Sequence, residues 1–68
     1  MSWWKLQTFY GVEEPENGKH RGDCAIQTMF TDDRALQAAI AASRLRDDIG
    51  WVDVTDMITH KLRREYMR

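Results

Sequence analysis

The 68-residue chain lacks most of the devices that staple a small protein. It has one cysteine, Cys24, so no intrachain disulfide can form. Chains of this length sit near the lower limit at which a single core sustains a fold unaided. The core must come from apolar packing or from a partner chain. Proline occurs once and glycine four times. Pro15 and three of the glycines fall between residues 11 and 23, so breakers are concentrated in one connection. No stretch approaches the roughly 18–20 consecutive apolar residues of a bilayer span. The start, Met1-Ser2-Trp3-Trp4-Lys5, carries neither the apolar segment nor the cleavage pattern of a signal peptide. The expectation is one domain over residues 1–68, with no membrane segment, in the reducing cytoplasm where a lone thiol is ordinary.

A basic excess is also missing. The net charge is −1, but residues 1–59 carry −4 and residues 60–68 carry +3. Nucleic-acid binders usually present a basic domain. Here the body is acidic and only the tail is basic.

What the chain does have is aromatic mass: three tryptophans, two tyrosines and two phenylalanines. Each ring can bury roughly 150–250 Å², enough for a few to anchor a small core. Residues 3–10 read as a strand, with Trp4, Leu6, Thr8 and Tyr10 alternating with Trp3, Lys5, Gln7 and Phe9. Residues 11–23 are turn material, and residues 24–31 read as a second strand. The two should pair as an antiparallel hairpin. A two-residue turn at Asn17-Gly18 would pair residues whose numbers sum to 35 and would split the apolar set between faces. A sum of 34 places Trp4, Leu6, Thr8 and Tyr10 with Cys24, Ile26, Thr28 and Phe30 on one coherent face. That register needs an odd loop or a bulge, for which Gly18 is suited.

Residues 32–49 carry the strongest helix pattern. Thr31 or Asp32 can cap it, and Asp32 and Asp33 suit the positive end of its dipole. Leu36, Ala39, Ile40, Ala42, Leu45 and Ile49 form a broad apolar face, and Gly50 supplies a stop. Residues 51–54 can add a short third strand. Beyond them, Asp56 near the start and Lys61, Arg63, Arg64 and Arg68 near the end predict a helix from about residue 55, with Ile58, Leu62 and Tyr66 inward. The predicted architecture is therefore α+β, in the order β-β-α-β-α, with a hairpin packed on one main helix and a C-terminal helix.

No catalytic constellation emerges. His20 and Cys24 are four apart with Asp23 between them, but His60 is distant, and a zinc site needs three or four ligands at recognisable spacings. The expected reading is an exposed His20 and a buried Cys24, with no metal and no cofactor. Asn17-Gly18-Lys19 lacks the glycine spacing and the hydroxyl residue of a phosphate loop. Arg21-Gly22-Asp23 is an adhesion-type tripeptide, a match too short to carry weight. Asp47 and Asp48 sit where a helix dipole disfavours carboxylates and could form an acidic knob for a basic partner surface. Lys61, Arg63, Arg64 and Arg68 could instead contact phosphates, although the acidic body would repel a polyanion.

The doubled tryptophan is the main oddity. Neighbouring strand residues point to opposite faces. If Trp4 enters the core, Trp3 lies outside it, with Lys5, Phe9 and Met29. These aromatic and methionine side chains are types enriched at interface cores. Either the C-terminal helix covers them or a partner does.

The run from a strand into Thr31-Asp32-Asp33-Arg34-Ala35-Leu36 resembles small families such as a phage-encoded inhibitor of the host RNA polymerase and the HicB-type antitoxin domain. The likeness spans about a dozen residues and transfers no functional residue. It implies a small inhibitor of a larger host machine. The leading expectation is a non-enzymatic protein-binding module using Trp3, Lys5, Phe9, Met29, Asp47 and Asp48. The alternatives are a nucleic-acid binder acting through the basic tail, and a structural homo-oligomer such as a homodimer.

Overall fold

The computed structural model describes residues 1–68, apart from the side chain of Asn17, which lies outside the described residues. Its elements run β1 (Trp4–Tyr10), a 3-10 turn (Pro15–Asn17), β2 (Cys24–Phe30), α1 (Asp33–Arg44), β3 (Ile49–Asp56) and β4 (Leu62–Tyr66). The strands form one antiparallel sheet in the order β2-β1-β3-β4. The class is α+β, as predicted, but the C-terminal helix does not exist and the order is β-β-α-β-β.

The hairpin keeps the register that gathers the apolar residues. Trp4 pairs with Phe30, Leu6 with Thr28 and Thr8 with Ile26. The irregularity this requires falls at Ala25 rather than at Gly18: Thr8 pairs with Ile26, but Phe9 pairs with Cys24. Ala25 thereby packs against the core, while Cys24 is exposed instead of buried.

The main helix is shorter than its sequence pattern suggests. Asp32 caps its start by accepting the Arg34 N–H at 3.2 Å. Its end comes at Leu45, before the two carboxylates that the negative end of the dipole disfavours. Leu36 and Ile40 point into the core, whereas Leu45 is 86% exposed. Ile49 and Gly50, expected to close the helix, instead open β3. Ile49 is buried as a strand residue. Gly50 is needed for close approach: a Cβ on it would lie 2.6 Å from the Gly11 Cα, which no side chain could occupy.

Asp56 explains why no second helix forms. Its carboxylate accepts the N–H groups of Ile58 and Thr59 at 2.9 and 3.1 Å, and its carbonyl accepts the His60 N–H. His60 takes a left-handed conformation, φ 61°, and the Asp56 N–H closes the turn on the Lys61 carbonyl. This local side-chain turn competes with helix and wins. The chain reverses, and residues 62–66 pair with β3. Ile58, Leu62 and Tyr66, the expected inward stripe, are all exposed.

Helix α1 covers one face of the sheet. Leu6, Leu36, Ile40, Ile49, Val52, Val54 and Met67 form the core, flanked by Trp4, Tyr10, Phe30 and Ala39. Met67 is held over it by its N–H to the Gly50 carbonyl, 2.9 Å. No described element covers the other face.

Candidate functional site

Strand pairing places the uncovered face in three cross-strand rows. One row runs Cys24, Phe9, Trp51, Tyr66. The middle row runs Gln27, Gln7, Asp53, Arg64, and the third runs Met29, Lys5, Thr55, Leu62. Trp3 lies just beyond the third row, its carbonyl accepting the Met57 N–H at 2.9 Å.

The aromatic row is packed within itself. Phe9 and Trp51 stack with centroids 5.6 Å apart and planes 14° from parallel. Trp51 and Tyr66 are tilted, 6.4 Å apart. Such pairs add about 0.5–1.5 kcal/mol beyond area burial. The Arg64 guanidinium lies 5.2 Å above the Trp51 ring, a cation–π distance.

The middle row is a polar ladder. Gln7 donates to Gln27 at 3.2 Å. Asp53, only 5% exposed, accepts both Nε and Nη2 of Arg64 at 2.8 and 3.1 Å. This fork explains how a carboxylate can be buried on a sheet face. The same bond, followed by that to Tyr66, pushes the Arg64 pKa further up, so this cation is permanent. Beneath the face, Trp51 Nε1 and Thr55 Oγ1 are screened from solvent without a hydrogen-bond partner.

At the rim, apolar groups meet solvent directly. Trp3 is 44% exposed, Tyr66 is 64% exposed, and Met29 and Leu62 are also exposed. The structure therefore gathers Trp3, Lys5, Phe9 and Met29 on one face, as the strand alternation requires. It adds Trp51, Leu62 and Tyr66, which the sequence reading did not assign. Their signal was a period of two, Trp51 and Asp53 against Val52 and Val54, then Leu62, Arg64 and Tyr66 against Arg63 and Glu65.

Asp47 and Asp48 lie in the connection between α1 and β3, and Asp47 lines a pocket together with Trp51, Tyr66 and Arg68, at the end of the aromatic row. Asp48 is engaged by Arg46 at 2.8 Å and Lys19 at 3.1 Å. These partners, Arg46 first, hold its pKa down at about 2. Lys19 in turn is raised by Asp48 and sits 5.3 Å above the Tyr10 ring. Asp47 is exposed and lies 3.6 Å from Arg68.

The basic tail is divided rather than gathered. Arg64 is on the open face, bound to Asp53, and Arg63 is on the helix side of β4. Lys61 is in the β3–β4 turn. Arg68 donates to the Arg46 carbonyl at the opposite end of β4. Among the described residues, no group of three or more His, Cys, Asp and Glu side chains is placed to hold a metal ion. No helix among the described residues is long and apolar enough to cross a membrane. No family model matches the chain, and neither a curated protein nor a solved structure shows significant similarity to it.

Proposed function

We propose that the chain is a non-enzymatic protein-binding module whose contact surface is the uncovered face of the sheet. One observation carries the reading: β4 extends the sheet, where a C-terminal helix would have covered it, and leaves an aromatic row with an apolar rim facing solvent. Large aromatic, methionine and arginine side chains at a surface are the composition of binding hot spots. The stacked Phe9–Trp51 pair and the Asp53–Arg64 fork hold that surface rigid, so little ordering entropy is lost on contact. An occluding inhibitor of a larger machine is one member of this class, and rests on the resemblance of the strand-to-helix segment alone.

A nucleic-acid reading finds less support. Free aromatic faces and a continuous cationic track are what single strands require. Here Phe9 and Trp51 cover one another, and the four basic residues of the tail point to different regions.

Quantitative affinity capture tests the proposal, with immobilised wild-type chain beside a Trp3→Ala/Tyr66→Ala variant of equal folded content. A protein retained by wild type and reduced at least about tenfold by the variant is the expected outcome, given hot-spot losses of ~2 kcal/mol. Equal retention by both contradicts it. Nucleic acid recovered in place of protein, released by moderate salt, also contradicts it.

A further inference from the structure

The two edges of the sheet differ in a way that bears on assembly. β4 is five residues long and carries Arg63, Arg64 and Glu65. Short, charged strands are how proteins keep an open edge from pairing. β2, the other edge, is seven residues long, and residues 24–31 contain no charged side chain. It lacks those charges, and its one irregularity is the bulge at Ala25 near its start.

Its backbone geometry can be followed residue by residue. Tyr10 bonds toward the β2 side through both its N–H, to Asp23 at 3.0 Å, and its carbonyl, from Gly22 at 2.7 Å. The Trp3 carbonyl bonds to Met57, beyond β3. Even-numbered β1 residues therefore face β2. Their partners Thr28 and Phe30 face β1 in return, which directs the N–H and C=O groups of Gln27 and Met29 outward.

The helix flank above this edge is largely uncharged. Ala39 and Ala42 line a shallow groove of about 240 Å³ with Ile26 and Phe30, and Ile26 is 48% exposed. Arg46, at the end of the groove, is held by Asp48 at 2.8 and 3.0 Å.

We infer that β2 pairs antiparallel with β2 of a second copy, about a two-fold axis at Gln27, making one continuous sheet with both helices on the same side. A two-fold contact sets each side chain near the axis against its own copy or a close neighbour. Any charge there meets a like charge, so a charge-free edge suits a second copy, while a charged partner finds nothing to pair with. Pairing about Gln27 sets Gln27 against Gln27 through their outward backbone groups. It sets Ile26 against Thr28 on the helix side, so neither face is inverted at the centre of the seam, and Met29 meets the Ala25 bulge at each end of it. The two β1 strands come to lie three strand spacings, about 14 Å, apart. Helices that need roughly 8–10 Å between axes flank the seam without collision. The dimer also sets two open faces side by side, which would make capture by the proposed contact surface bivalent. The pairing itself does not depend on that surface having a partner.

Sedimentation equilibrium from low micromolar to near-millimolar protein tests this, with amide hydrogen exchange on the same samples. Mass rising from one chain to two is expected, with exchange at the Gln27 and Met29 amides slowing as concentration rises. Ile26→Lys, which sets like charges across the seam, and Gln27→Pro, which removes an outward N–H from an edge position, should each weaken the dimer at least about tenfold. Circular dichroism checks that both remain folded. Trp3→Ala/Tyr66→Ala should leave the dimer intact. A monomer at every concentration with fast exchange at Gln27 and Met29 overturns the inference. So does a dimer abolished by Trp3→Ala/Tyr66→Ala and indifferent to Ile26→Lys. The exchange readout on wild type decides the matter if either edge variant fails to fold.

Discussion

The two faces of one sheet are built from different chemistry, although they alternate along the same strands. The helix-covered face is aliphatic at its centre: Leu6, Val52 and Val54 meet Leu36 and Ile40 with almost no exposure. The open face has a charged fork at its centre and aromatics along one side. Aliphatic packing stabilises by removing area from water and needs complete cover. Stacking, cation–π contact and a bidentate ion pair keep a surface ordered while it stays wet. The difference separates two tasks. One face holds the fold together, and the other, on the function proposed above, is kept rigid for contact.

That separation can be broken first where it is strongest. Leu36→Ala should cost about 2–5 kcal/mol, since Leu36 is fully buried and a cavity would remain. In a chain this small that is most of the total stability, and urea unfolding should show a largely unfolded population. Asp53→Asn tests the open face from beneath. It removes the charge that anchors Arg64, and should lower stability by about 1–3 kcal/mol and change the Trp51 fluorescence. A variant as unstable as Leu36→Ala would mean that the open face is structural after all.

A smaller effect is expected at neither face. Arg46, and after it Lys19, hold the carboxyl of Asp48 down at about 2 in the folded chain, below the usual carboxylate range. A depressed carboxylate contributes stability that is fully present above the unfolded pKa and is lost as pH falls through the folded one. Acid titration should therefore weaken the fold between about pH 4 and pH 2, and Asp48→Asn should flatten that part of the profile. An unchanged acid limb would remove the ion pairs with Arg46 and Lys19 from the account.

Much of the first face was legible in the sequence. Alternation of Trp4, Leu6 and Thr8 against Ile26, Thr28 and Phe30 admits one register that keeps them together, and Leu36 and Ile40 at helical spacing name the helix face. The second face was half legible, because its completion is non-local. Leu62-Arg63-Arg64-Glu65-Tyr66 satisfies a helix by charge order and a strand by alternation. Its choice is made by the Asp56 turn and by the free edge of β3, neither of which local propensity records. For the same reason Trp51 and Tyr66 could not be joined to Phe9 until the order β2-β1-β3-β4 was known. The helix end was missed because Ile49 fits the apolar spacing of α1 equally well as the first core residue of β3.

The claim that the open face is a contact surface is tested most directly by hydroxyl-radical footprinting of the free chain and of its complex with a captured partner. In the free chain Trp3, Met29, Leu62 and Tyr66 should be modified readily, while Leu36 and Val52 are spared. In the complex those four should become protected together. Protection confined to α1 or to the 57–61 turn, with Trp3 and Tyr66 as reactive as before, would contradict the account.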